Sequence, residues 1–278
     1  MSPSLFRHSG PGHAASVNLA MSKVPQVTLL FWIAKLLTTG MGETLWDWAG
    51  VTLGPVLALA ISVVGFLGAM TAQLLSKAYN AWLYWMAICM VSVFGTTVAD
   101  VVHVIFGVPY WASTLVLAVA VAVLFVSWYR VEGTLSIHSI RTCRRELFYW
   151  SGVLLTFALG TAAGDWTATS LHLGYLLSAV LFAVVFVLPA VGYWRLGLDP
   201  ILSFWLSYIM TRPLGASLAD WVGVPSSRGG LGLGTGGVSL VLAVLIVAVV
   251  AYFSITRTDV ERIVAAPTMR IASRQGPK

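Results

Sequence analysis

Along the chain, apolar stretches of about 20 residues alternate with short polar breaks. Eight such stretches stand out, at approximately 26–48, 53–76, 81–105, 110–130, 146–168, 172–194, 201–222 and 237–256. Within them apolar residues run on without strict alternation. That length and pattern predict membrane-spanning helices and argue against strands of a barrel. The stretches are of two kinds. The fourth and eighth are almost entirely Val, Ala, Leu and Ile, whereas the odd-numbered ones carry Lys35, Glu43, Asp47, Asp100, Asp165, Arg212 and Asp220.

The odd stretches share a repeat. Trp, nine residues, Gly, four residues and Asp recur as Trp32–Gly42–Asp47, Trp85–Gly95–Asp100, Trp150–Gly160–Asp165 and Trp205–Gly215–Asp220. An aromatic residue precedes each Trp: Phe31, Tyr84, Tyr149 and Phe204. Each unit is therefore a patterned odd helix followed by a plainer even one, with units at about 23–77, 78–131, 142–195 and 198–256. Two helices per unit return the chain to its starting side, so the repeats run parallel and not inverted. The expected fold is an all-α integral membrane protein of eight transmembrane helices, arranged as four parallel two-helix repeats with pseudo-fourfold symmetry.

The run Lys23-Val-Pro-Gln-Val-Thr28, with Phe31-Trp32, Lys35, Thr39, Gly42-Glu43-Thr44 and Asp47, resembles the signature of a bacterial inner-membrane family built from a repeat of unknown function. The resemblance covers roughly 23–256. It implies four repeats and a membrane location, and it implies no particular activity.

Lys35, Thr39, Glu43 and Asp47 follow one another at four-residue steps along a slowly turning helix face. The matching ladders are Ile88, Ser92, Thr96, Asp100; Val153, Phe157, Thr161, Asp165; and Tyr208, Arg212, Ala216, Asp220. A charge facing lipid at mid-bilayer costs on the order of 2.5–3.5 kcal/mol on insertion scales. The odd helices are therefore expected inside, around a polar centre, with the even helices outside against lipid. The Trp residues read as interfacial anchors and the repeated Gly as packing positions. Pro213 is expected to disturb its helix and free a carbonyl.

Composition agrees with a membrane chain. Hydrophobic residues make up 58% and charged ones 9% of 278 residues, with a mean hydropathy of +0.88. Ordinary globular chains hold about 45–50% and about 25%. Disorder is excluded by the same figures, and a disulfide scaffold by the presence of only Cys89 and Cys143. The net charge of +6 is concentrated in tails and loops and does not point to nucleic acid. Loops after the odd stretches contain the single base Arg228, whereas Arg7, Lys23, Lys77, Arg130, Arg141, Arg144, Arg145 and Arg195 lie on the other side. The positive-inside rule then puts both termini in the cytoplasm, with residues 1–22 as a flexible tail and 257–278 as a basic one.

Catalytic signatures are lacking: there is no HExxH, GxSxG or phosphate-binding loop, and no resident cofactor is expected. The Gly-rich run 228–237 reads as a flexible outer loop. The expected chemistry is cation handling. Asp47, Asp100, Asp165 and Asp220 form a candidate ring at the outer mouth, with Glu43, Thr44, Thr96 and Thr161 one turn deeper and Lys35 and Arg212 beyond. Oxygen donors of this kind suit hard divalent cations or protons. His103, with His172 nearby, is a candidate ligand for a softer metal. The bases are expected to pair with Glu43 and Asp220, each eight residues on, or with acids of neighbouring helices. Alternatives are Asp side chains that merely cap the following turn, a non-transporting sensor or assembly module with a salt-bridge core, and a carrier of a small organic cation with an aromatic cage. The lipid bilayer and a small cation are the expected partners, and the oligomeric state is left open.

Overall fold

In the computed structural model, residues 22–260 are described, so most of both expected tails lies outside the described residues. Within this range the chain forms helices α1 (Leu29–Leu53), α2 (Pro55–Leu75), α3 (Ala81–Asp100), α4 (Tyr110–Glu132), α5 (Cys143–Asp165), α6 (Gly174–Leu196), α7 (Pro200–Gly223) and α8 (Thr235–Thr256). Single π-helical turns extend α3 over Val101–Ile105 and α5 over Trp166–Ser170. No strand occurs among the described residues.

Local chemistry separates odd from even helices at their first residue. Thr28, Asn80, Thr142 and Asp199 cap α1, α3, α5 and α7, each accepting a backbone N–H three residues on. Such caps satisfy one of the N–H groups that a helix start leaves orphaned. The even helices begin without a side-chain cap.

Among the described residues, six helices are long and apolar enough to cross a membrane. The other two, α1 and α7, are 25 and 24 residues long. Length is thus sufficient, and what sets them apart is composition: α1 carries Lys35, Glu43 and Asp47, and α7 carries Arg212 and Asp220. In α3 and α5, 56% and 61% of the apolar window is buried, against 17–28% in α2, α4, α6 and α8. The odd helices are the inner ones, as the charge argument requires.

The inner helices close a ring. α1 packs on α3 and α7, and α5 packs on α3 and α7. Each even helix leans chiefly on the odd helix that follows it: α2 on α3, α4 on α5, α6 on α7, and α8 back on α1.

Two neighbour rules hold all the way round. The aromatic before each Trp meets the Trp of the next inner helix: Phe31–Trp85 at 5.7 Å, Tyr84–Trp150 at 5.7 Å, Tyr149–Trp205 at 6.2 Å and Phe204–Trp32 at 5.7 Å between ring centroids. Each repeated Gly faces the ladder residue of the next helix. A Cβ on Gly42 would run into Ser92, on Gly95 into Phe157, on Gly160 into Arg212 and Pro213, and on Gly215 into Thr39. Bare backbone at these points lets the helices approach closely.

Two expectations need correction. Trp85, Trp150 and Trp205 are 1%, 5% and 2% exposed, so they are not lipid-interface anchors. They build an aromatic layer across the end of the ring where the odd helices begin, the near end, and the Trp205 indole donates to Leu135 O at 3.0 Å. The Gly-rich run is not a free loop either. Leu231, Gly232, Leu233 and Gly234 donate backbone N–H groups to Trp221, Val224, Val222 and Gly223. The run thereby satisfies the carbonyls that the end of α7 leaves open.

Residues 22–28 form a strap over the near end. Lys23 Nζ reaches Glu146 Oε2 at 2.6 Å, Lys23 N donates to Ile140 O at 3.1 Å, and Gln26 N donates to Asp259 O at 2.8 Å. Val24 is buried in the main core beneath.

Candidate functional site

The four ladders meet inside the ring, and the structure shows what each level holds. Nearest the strap lies the aromatic layer. Next come Lys35, Ile88, Val153 and Tyr208, then Thr39, Ser92, Phe157 and Arg212, then Glu43, Thr96, Thr161 and Ala216, all buried. The last level has Asp220 buried, with Asp47, Asp100 and Asp165 partly exposed. The centre is therefore sealed at the near end and opens at the Asp level.

Arg212 organises this centre. From α7 its guanidinium donates to Glu43 Oε2 at 2.6 Å and Thr39 O at 2.9 Å on α1, and to Thr161 Oγ1 at 2.8 Å on α5. It also donates to the Thr96 hydroxyl on α3. One side chain, 1% exposed, thus binds oxygens from the three other inner helices. Thr96 in turn reaches Glu43 Oε2 at 3.3 Å. The base pairs with an acid of a neighbouring helix and not with Asp220. Eight residues span about 12 Å of α-helix, which no side chain on the same helix bridges comfortably.

The same distance separates Lys35 from Glu43, and the expected pair does not form. Lys35 Nζ is buried without a hydrogen-bond partner. It lies 3.8 Å from the centre of the Phe157 ring and 3.9 Å from that of Tyr208. Its stabilisation is cation–π in kind.

The carboxylates converge only in part. Glu43, Asp165 and Asp220 each offer an oxygen within 4.8 Å of the others. Asp220 Oδ1 is buried without a partner. Asp100 accepts the Trp46 indole N–H at 2.6 Å. The positions matching Trp46 are Ala99, Gly164 and Ala219, which have no side-chain donor. That asymmetry ties up Asp100 alone of the four Asp. Asp47 instead lines a cavity of about 510 Å³ together with Trp48, Arg228 and the turn after α7. The expected quartet of Asp is thus a trio in which Glu43 takes part.

Local capping does not account for these acids. Asp100 and Asp165 precede the π-helical turns, and neither makes a side-chain cap there. Asp47 and Asp220 lie within α1 and α7. Thr44 is buried, and its hydroxyl donates to Gly40 O at 3.1 Å in its own helix.

His103 stands apart from the trio. Its Nδ1 lies 2.8 Å from Val108 O and its Nε2 3.2 Å from Ser113 Oγ, so both ring nitrogens are engaged locally. His172 is exposed. Neither belongs to the one cluster of three metal-ligating side chains among the described residues. Pro213 leaves α7 continuous and packs against Gly160 of α5.

This architecture defines a multi-pass helical membrane protein assembled from two-helix repeats around a charged interior. The chain belongs to the family of the Repeat of Unknown Function (DUF347), whose family model matches residues 83–134, 148–198 and 203–259. Those stretches correspond to α3–α4, α5–α6 and α7–α8. No curated protein and no solved structure matches the chain.

Proposed function

We propose that this chain is a cation transport protein of the bacterial inner membrane, with all eight helices crossing and both termini in the cytoplasm. In this reading α1–α2 is a fourth repeat, related to the other three by a pseudo-fourfold axis along the membrane normal. The neighbour rules support that axis, because α1 obeys them in the same register as α3, α5 and α7.

The observation that carries the transport reading is the oxygen nest around Arg212. Thr39 O, Glu43 Oε2, Thr96 Oγ1 and Thr161 Oγ1 come from three helices to hold one cation, which happens to be tethered. A mobile cation arriving from the Asp level meets the Glu43 carboxylate of the same nest. Intramembrane charges of this kind mark ion pathways by default. Because Arg212 and the Phe157 and Tyr208 rings fill the levels beneath, a carrier that rearranges fits better than a standing pore.

A second reading has one observation in its favour. The Arg212–Glu43 pair is buried on both sides, which also suits a static core in a sensor or assembly module. Purified protein in liposomes separates the two. Transport predicts gradient-driven flux of at least one member of a panel of H⁺, Na⁺, K⁺, Mg²⁺, Mn²⁺ and Ca²⁺. Absence of flux for all of them removes the transport reading.

A further inference from the structure

We infer that Glu43, Asp165 and Asp220 form a binding site for a divalent cation of calcium-like size, and that the Arg212 guanidinium is its built-in competitor. The inference rests on the reading of the centre as a cation pathway and names the substrate class and the control of that site.

Donor chemistry sets the class of ion. The trio offers carboxylate oxygens alone, with the Thr96 hydroxyl beside Glu43, and neither a sulfur nor an imidazole takes part. Such a set selects hard cations over zinc or copper. Asp220 supplies the second, independent sign of a ligand. It is 6% exposed, and its Oδ1 has no hydrogen-bond partner. An unpaired carboxylate oxygen in a buried place is costly unless something binds it.

Charge sets the valence. As ligands of an ion, Glu43, Asp165 and Asp220 would bring three negative charges, of which Arg212 offsets one. The remaining two equal the charge of one divalent ion.

Spacing sets the size. Three oxygens no more than 4.8 Å apart can share an ion placed about 2.8 Å or less from each. A small rotation of the side chains reaches the roughly 2.3–2.6 Å of calcium–oxygen bonds. Magnesium demands about 2.0–2.1 Å in near-octahedral geometry and gives up its water reluctantly. Ca²⁺ is therefore preferred to Mg²⁺.

Competition follows from the shared oxygen. Glu43 Oε2 accepts from Arg212 Nη2 and from the Thr96 hydroxyl. An ion that takes Glu43 as a ligand weakens the hold on the guanidinium, and a guanidinium that holds Glu43 weakens the ion. The pair then reports occupancy of the trio to α7, the helix that carries both Arg212 and Asp220.

Isothermal titration of the full chain in nanodiscs with Ca²⁺, Mn²⁺ or Mg²⁺ alone tests this. One saturable site is expected, with Ca²⁺ at least about tenfold tighter than Mg²⁺ and Mn²⁺ between them. Asp165→Asn and Asp220→Asn, each checked for an unchanged circular dichroism spectrum, should each weaken binding at least about tenfold. Arg212→Gln should tighten it. Thr161→Val, which removes one partner of the guanidinium and leaves every carboxylate in place, should tighten it as well. Binding that ignores both Asn variants, or that Thr161→Val weakens, overturns the site. Flux without saturable binding at the trio overturns this inference and leaves the transport reading standing. Binding without flux supports the site and overturns transport.

Discussion

Arg212 Nη2 lies 2.6 Å from Glu43 Oε2, although 169 positions separate the two residues in the chain. Both are buried, and the contact joins the seventh helix to the first, so it also closes the ring. Breaking such a pair by removing one partner leaves an uncompensated charge, a loss of about 3–5 kcal/mol. Arg212→Gln and Glu43→Gln should each lower unfolding stability in detergent by that order. The double variant should lose less than the sum, because the stranded charge is gone. Additive losses would show that the pair is not coupled.

The repeated glycines make a sharper packing prediction. At Gly160 a Cβ would meet the Arg212 stem and lie 2.9 Å from Pro213 Cδ. Gly160→Ala should therefore destabilise by about 1–3 kcal/mol, as overpacking does. Gly68, on α2, has nothing within 4 Å of an added Cβ. Gly68→Ala should be neutral or stabilising by up to about 1 kcal/mol through helix propensity. Thermal unfolding of the two variants side by side distinguishes a motif glycine from an incidental one.

Lys35 offers the opposite sign. Its ammonium has aromatic faces but no hydrogen-bond acceptor. Lys35→Met keeps the length of the stem and removes a buried cation. It should raise stability by at least about 1 kcal/mol, as replacing buried ionic groups with apolar ones often does. A clear drop in the unfolding midpoint would show that the two cation–π contacts outweigh desolvation.

At the near end, the Tyr79 hydroxyl donates to Asp259, beside the strap. Burial raises the Asp259 carboxyl above its ordinary 3.8, and the Tyr79 bond opposes that rise without cancelling it. The folded chain then keeps a proton that the unfolded chain has already lost. The stabilising contribution is full below the unfolded value and is lost as pH rises through the folded one. The unfolding midpoint of the unsubstituted chain, measured relative to Asp259→Asn, should therefore fall as pH rises just above about 4. A difference that grows with pH contradicts this.

Much of the fold was legible because a membrane imposes simple rules. The fixed Trp–Gly–Asp spacing marked the inner helices, and the cost of exposing Asp100 or Arg212 to lipid placed them inside. The four-residue ladders also put Thr96 and Thr161 at the level of Glu43, where Arg212 finds them. What the pattern could not reveal depended on single departures from symmetry. Trp46 claims Asp100 because only α1 has an indole at that position. Lys35 stays unpaired because its expected partner lies two turns away along the same helix. The burial of Trp85, Trp150 and Trp205 was hidden because Trp near a helix end serves equally well as a lipid anchor or as a layer between helices. The side-chain caps at Thr28, Asn80, Thr142 and Asp199 were an available signal for the inner helices that the hydropathy reading passed over.

The central claim is that carboxylates at the open end of the ring carry a cation through the membrane. Its most direct test is uptake of H⁺, Na⁺, K⁺, Mg²⁺, Mn²⁺ and Ca²⁺, each alone, into proteoliposomes by the unsubstituted chain and by the double variant Asp165→Asn/Asp220→Asn, with equal protein insertion verified. The account predicts saturable uptake by the former and uptake at the level of empty liposomes by the latter. Equal uptake by both, or none by either, would contradict it.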